Sequence, residues 1–101
     1  MNILTEHNKL ITAGTILKTH GLKGMVTAAV KFEIPEDIDV LFVEISKKPV
    51  PFFVEAFSQT GMQTAIIKLE WVDDPKSASV LQNHHILLTR DQIKKNNQIT
   101  D

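Results

Sequence analysis

The stretch HGLKGMVTAAVKF (residues 20–32) decides the fold class. In its second part every other position is apolar: Val26, Ala28, Val30 and Phe32. A period of two is the side-chain repeat of a β-strand. The two glycines that precede it, three residues apart, predict a tight connection from an earlier strand. The stretch therefore predicts the second strand of a β-hairpin.

Similar short apolar runs recur on both sides of this hairpin. They predict strands at residues 10–18, 41–45, 50–57, 65–71 and 86–88, and turn-forming residues separate them. Five or six short strands at a spacing of about 8–12 residues are typical of a small antiparallel barrel or a strongly bent sandwich. The alternation also predicts core positions for most of the aromatic residues, although one of Phe52 and Phe53 must face outwards: Phe32, Phe52, Phe53, Phe57 and Trp71.

One segment, DDPKSASVLQN (residues 73–83), has the pattern of a helix. Asp74 can cap its first turn, and Pro75 suits the first helical position. Asn83 tolerates the left-handed conformation that often ends a helix. The sequence therefore predicts an all-β fold with one short helix.

The composition of the 101 residues describes one ordinary globular domain. Hydrophobic residues make up 43% of the chain, the formal net charge is −1 and there is no cysteine. This charge lacks the positive excess of a dedicated nucleic-acid binder. The first residues lack the pattern of a signal peptide, and no apolar run is long enough to span a membrane. We therefore expect a soluble protein of the cytoplasm.

The glycine-containing loop is the leading candidate for a site. It is not a phosphate-binding loop, because a strand follows Gly24 where that motif requires a helix. The glycines instead suit a hairpin connection, with positive φ angles at Gly21 and Gly24. That role leaves His20, Leu22 and Lys23 without a structural explanation, and loops often carry function.

Catalytic and metal-binding patterns are weak in this sequence. His84 and His85 are adjacent, so on a strand they would point to opposite faces. The carboxylates lie beside prolines at predicted turns, and no serine has a Gly-x-Ser-x-Gly setting. We predict no catalytic residue, no metal, no cofactor and no enzymatic activity. A basic patch of Lys18, Lys23 and Lys31 would allow binding of single-stranded RNA as an alternative function.

Two segments resemble the ribosome maturation factor RimM family. AGTILKTHGLKGMVTAAVKF (residues 13–32) is similar to the opening of the family, with its Gly-x-Ile-x-x-x-His-Gly-Leu-Lys/Arg-Gly signature. LEWVDDPKSASVLQNHHILL (residues 69–88) is similar to a second stretch, which runs from a strand through Val-Asp-Asp into a short helix and a last strand. The chain departs from the family pattern at Met25, Trp71, Ser79 and Asn83, where an acidic residue, glycine, glutamate and glycine respectively are common.

The resemblance implies a fold and a domain order. It implies a six-stranded antiparallel β-barrel with one short helix, similar to the barrels of translation factors, followed in the family by a second small β-barrel. We expect residues 10–90 to form the barrel and residues 1–9 to be flexible. We expect residues 91–101 to begin a linker to a second domain that this chain does not include.

The resemblance also implies a function in ribosome assembly. Family members bind the immature small ribosomal subunit near its head, contact the nineteenth small-subunit ribosomal protein and assist the processing of ribosomal RNA. We expect a monomer with the same partners and a possible contact with the RNA itself. The predicted partner-binding residues lie in the glycine-containing loop and in the residues just before it: Lys18, His20, Gly21, Leu22, Lys23 and Gly24.

Overall fold

The computed structural model describes residues 9–97, and it describes side-chain surroundings for residues 9–93. Within that range the chain forms six strands and two short helices. The elements are β1 (Leu10–His20), β2 (Met25–Val30), β3 (Val40–Ile45), β4 (Lys48–Gln59), β5 (Thr64–Leu69), α1 (Pro75–Ser79), β6 (His85–Thr89) and α2 (Arg90–Asn97). No helix in this range is long and apolar enough to cross a membrane.

The strands close into a barrel in the order β1-β2-β5-β4-β3-β6. Every neighbouring pair is antiparallel, and β6 returns to pair with β1. Closure leaves no strand at an open sheet edge, which is how a small all-β domain avoids edge-to-edge association. The predicted six-stranded antiparallel barrel is confirmed.

Irregular pairing in the two longest strands helps the sheet to curve. The register of β1 shifts between Thr12 and Gly14 opposite β6, and between Ile16 and Lys18 opposite β2. The register of β4 shifts between Val54 and Ala56 opposite β5. An extra residue at such a bulge bends its strand, so both strands can turn around the core.

The core consists of the alternate positions that the period of two predicts. In β2, Val26, Ala28 and Val30 point inwards and are buried, while the residues between them are half-buried. The same pattern holds in β3, β5 and β6. Phe32, Phe52 and Phe57 are partly buried against this core. The burial of these side chains is the main force that holds the barrel together.

Helix α1 covers one end of the barrel next to β1 and β2, with Ala78 fully buried. Its cap is as predicted, because the Asp74 side chain accepts a hydrogen bond of 2.7 Å from the Ser77 backbone N–H. The helix is shorter than the predicted 73–83. It ends at Ser79, and turns lead to Asn83, whose φ of +69° is the expected left-handed conformation.

Two further features differ from the sequence prediction. Trp71, predicted in the core, is 85% exposed, because β5 ends at Leu69 and Val72 turns inwards instead. Residues 90–97, where no helix was predicted, form α2. In α2 the Gln92 side chain donates a 2.7 Å hydrogen bond to the Val40 carbonyl, and Ile93 packs on the core. Residues 1–8 and 98–101 lie outside the described range, and the domain division stays a prediction.

Candidate partner-binding site

The predicted site lies at the hairpin between β1 and β2. His20 pairs with Met25, so residues 21–24 form a four-residue connection. Gly21 has a φ of +73° and Gly24 a φ of +91°. Both values lie in the region that glycine adopts without a steric penalty. The predicted backbone role of the two glycines is confirmed.

Gly24 has a second role, which the sequence did not reveal. A Cβ atom at this position would lie 2.0 Å from the carbonyl oxygen of Val72 and 2.9 Å from the carbonyl carbon of Asp73. The hairpin therefore packs backbone against backbone on the turn that follows β5. Gly21 differs, because a Cβ there would meet no atom within 4 Å. Gly24 fixes the position of the loop, whereas Gly21 only shapes it.

The side chains at this hairpin face the solvent. Leu22 is 83% exposed, and Lys18, His20 and Lys23 are also exposed. Within the described part of the chain, neither Lys18 nor Lys23 forms an ion pair. We call the set Lys18, His20, Leu22 and Lys23 the loop surface. It is an apolar tip beside positively charged side chains.

The structure does not bring Lys31 to this surface. Lys31 follows the far end of β2, and the five residue steps from Met25 to Val30 span about 16 Å at the rise of a strand. Its side chain instead lines an open cavity of about 840 Å³ at the opposite end of the barrel, together with Glu33 and Met62. The predicted basic patch of Lys18, Lys23 and Lys31 is therefore wrong, since the length of β2 separates its members.

Two departures from the family pattern have a clear structural setting. Met25 is half-buried and pairs with His20 at the start of β2, so an acidic group is missing beside the loop surface. Trp71 has a φ of +69°, in the left-handed region. That conformation explains why glycine is common at this position. The alternation of residues 65–71 hid the turn, whereas the family's glycine was the signal that could have revealed it.

A buried lysine organises the outer face beside Trp71. The Lys68 ammonium lies 2.9 Å from Asp73 Oδ1 and 3.1 Å from Glu55 Oε1, and it donates a 2.8 Å hydrogen bond to the Leu69 carbonyl. Burial alone lowers the pKa of Lys68, but the hydrogen bonds and charges of Asp73 and Glu55 outweigh it and raise the pKa above its ordinary value. Lys68 therefore stays charged and joins β4, β5 and the turn before α1.

A second exposed surface surrounds this lysine. The Glu70 backbone N–H donates a 2.9 Å hydrogen bond to the Phe53 carbonyl, which places the turn after β5 against the middle of β4. The Phe53 side chain is 57% exposed, and Trp71 is 85% exposed. We call the set Phe53, Glu55, Glu70, Trp71 and Asp73 the tryptophan surface. It adjoins the loop surface through the contact of Gly24 with Val72.

The histidines have local structural partners. His84 Nδ1 lies 3.0 Å from the Gln82 carbonyl oxygen, and His85 Nδ1 lies 3.1 Å from Thr15 Oγ1. In the described range no three His, Asp or Glu side chains converge as metal ligands would. This end of the barrel combines exposed apolar and charged side chains with a fixed backbone.

Comparison with known proteins identifies the barrel. The chain is 29% identical over 85 residues to the ribosome maturation factor RimM of Flavobacterium psychrophilum, covering 81% of this chain and 49% of that protein. Its fold is similar to the crystal structure of a 16S ribosomal RNA processing protein RimM from Pseudomonas aeruginosa, with a TM-score of 0.70 and 19% identity. That match covers 83% of this chain and 52% of the other.

The chain thus spans about half the length of these two relatives. The profile of the RimM N-terminal domain matches residues 11–93, which include all six strands except the first residue of β1. Both motifs that suggested the family lie inside this match. The chain belongs to the RimM N-terminal domain family.

Proposed function

We propose that this chain acts in the cytoplasm as a module of ribosome maturation. In this proposal it binds the head of the immature small ribosomal subunit through the nineteenth small-subunit ribosomal protein and assists the processing of ribosomal RNA. Membership of the RimM N-terminal domain family supports a role in ribosome maturation. The role is that of a binding module and not of a catalyst.

The observation that carries the proposal is the exposure of Leu22 on a fixed hairpin. A leucine that is 83% exposed contributes little to the core, and it keeps an apolar group in water. The contact of Gly24 with Val72 holds the hairpin in place, so binding would require little further ordering of the backbone. An apolar tip beside Lys18, His20 and Lys23 has the composition of a small protein-binding hot spot.

Direct binding of single-stranded RNA is the alternative, and the charges disfavour it. Such barrels combine a continuous basic groove with stacking aromatic side chains. Here Lys31 lies at the opposite end of the barrel from the loop surface. The exposed Trp71 is flanked in the sequence by the exposed residues Glu70 and Asp73, whose carboxylates repel phosphate groups.

The test measures binding of the small-subunit protein to the chain by calorimetry. The double variant Leu22→Asp/Lys23→Glu places a charge at the apolar tip and reverses its neighbour. We expect a loss of about 1–3 kcal/mol of binding free energy, since the changed side chains lie in the proposed contact. Circular dichroism and thermal unfolding verify that the variant is folded.

Met62→Asp is the matched control. Met62 is 90% exposed and lines the cavity at the other end of the barrel, so the same kind of change there leaves binding unaltered. Equal binding by the folded double variant and the wild type would remove the loop surface from the site. Binding of ribosomal RNA fragments with a steep dependence on salt would instead favour the RNA-binding alternative.

A further inference from the structure

Stability does not explain the tryptophan at position 71. A residue other than glycine in the left-handed region costs about 1–3 kcal/mol. Burial of the large ring could offset this cost, but the Trp71 side chain is 85% exposed. Glycine would fit the same backbone without strain. The ring is therefore held outwards on a turn that would form more easily without it.

The backbone that presents Trp71 is well anchored. The Val72 N–H donates a 3.3 Å hydrogen bond to the Leu69 carbonyl, which closes the turn around Trp71. The Val72 side chain is buried, and Gly24 packs against the Val72 carbonyl. Phe53 on the adjacent strand, whose carbonyl accepts the hydrogen bond from the Glu70 N–H, exposes a second ring. Two aromatic side chains thus stand in solvent on a fixed support.

The charges around these rings are mainly negative. Glu55 and Asp73 keep 56% and 72% of their side-chain surface exposed, and Glu70 is exposed as well. Lys68 is buried beneath this surface and pairs with both Glu55 and Asp73. The tryptophan surface therefore presents more negative than positive charge to a partner, in contrast to the loop surface.

We propose that the tryptophan surface binds an extended peptide segment rich in arginine and lysine. A guanidinium group over the Trp71 ring makes a cation–π contact, and the planar fork of arginine matches the carboxylates of Glu70 and Asp73. The carboxylates repel phosphate, so the same surface rejects RNA. This contact adds to the proposed function, and it stands or fails independently of the loop surface.

The test uses Trp71 as its own reporter, because it is the single tryptophan of the chain. The probe is a short synthetic peptide of alternating arginine and glycine, titrated into the chain at low salt. We expect a saturable change of the tryptophan fluorescence that weakens as salt is added, since the attraction is screened. A peptide of alternating glutamate and glycine and an oligouridine RNA should leave the fluorescence unchanged.

Variants then locate the contact by calorimetry with the same arginine peptide. Trp71→Gly removes the ring and suits the positive φ of the backbone, so the fold is kept. Glu70→Lys reverses one charge of the tryptophan surface. We expect each to weaken binding about tenfold. Lys31→Glu changes a charge at the opposite end of the barrel, outside both surfaces, and should not weaken binding of this peptide.

Two results would overturn the proposal. The first is equal affinity of the arginine peptide for Trp71→Gly and for the wild type. The second is a fluorescence change with oligouridine that exceeds the change with the peptide, which would identify Trp71 as a base-stacking residue. Neither result would decide the proposed function. That function is tested separately, by the binding of Leu22→Asp/Lys23→Glu to the ribosomal protein.

Discussion

The loop surface and the tryptophan surface lie side by side, and each depends on residues with positive φ. In the loop surface those residues are Gly21 and Gly24, whereas in the tryptophan surface the residue is Trp71. Glycine at such a position is explained by the backbone alone. Tryptophan is not, because it strains the turn and leaves its ring in water. The side chain at the unfavourable position is therefore the more informative one about binding.

The largest expected effect comes from breaking the contact that joins the two surfaces. Gly24→Ala places a methyl group against the Val72 carbonyl and also strains a φ of +91°. We expect a loss of at least about 3 kcal/mol in the free energy of unfolding, measured by urea denaturation.

Gly21→Ala is the comparison for this change. It meets the same kind of φ strain but no atom within 4 Å, so we expect a loss of only about 1 kcal/mol. Equal losses for the two variants would show that the hairpin does not rest on the turn after β5.

A smaller effect comes from removing the lysine beneath the tryptophan surface. We expect Lys68→Met to lose about 1 kcal/mol of stability at neutral pH, because Glu55 and Asp73 are largely exposed and screened. The folded-state pKa of Lys68 is raised above the ordinary value of 10.5. Its contribution is therefore complete below pH 10.5 and is lost as the pH rises through the folded-state pKa.

Urea denaturation at neutral and at alkaline pH checks this prediction. The wild type should lose this contribution above about pH 10.5, and Lys68→Met should not. The chain has no tyrosine, so no phenol group titrates in the same range. Lys48→Met removes an exposed lysine of β4 and should retain the alkaline loss of the wild type.

The smallest effect concerns the cap of α1. The backbone N–H of Ser77, followed by its side chain, lowers the pKa of Asp74 below its ordinary value of 3.8. The stabilisation by this carboxylate is present above pH 3.8 and is lost as the pH falls through the lowered folded-state pKa. Asp74→Asn caps without titrating in this range. Its stability should therefore vary less with pH below about 3.8, as followed by circular dichroism in urea.

The alternation of the strands reports burial directly, so it predicted a small antiparallel barrel or a strongly bent sandwich. The resemblance to the RimM family then favoured the six-stranded barrel. The sequence prediction was wrong where contacts between residues distant in sequence determine where an element begins or ends. The alternation through residue 71 continues past Leu69, but the hydrogen bond of Glu70 with Phe53 and the inward turn of Val72 end the strand. Helix α2 was missed because its sequence is polar, and its anchor is a contact of Gln92 with Val40, 52 residues away.

The candidate site was predictable in part, for a related reason. Glycine spacing in the sequence indicated a hairpin, and the structure confirms the positive φ angles. The second role of Gly24 depends on Val72, which is distant in sequence, so no local pattern could indicate it. The prediction that grouped Lys31 with Lys18 was wrong because it did not take the length of β2 into account. That strand separates Lys31 from the loop surface.

The pairing of β1 with β6 has a consequence for the order of folding. Thr15 and His85 are 70 residues apart in sequence, whereas β1 and β2 form a local hairpin. Local contacts form quickly, while contacts between distant residues carry a larger entropic cost and form late. During synthesis the hairpin can therefore form long before β6 leaves the ribosome to close the barrel. Until then β1 has one unpaired edge. The hairpin also forms before the turn at Val72, which holds its loop in place, has been synthesised.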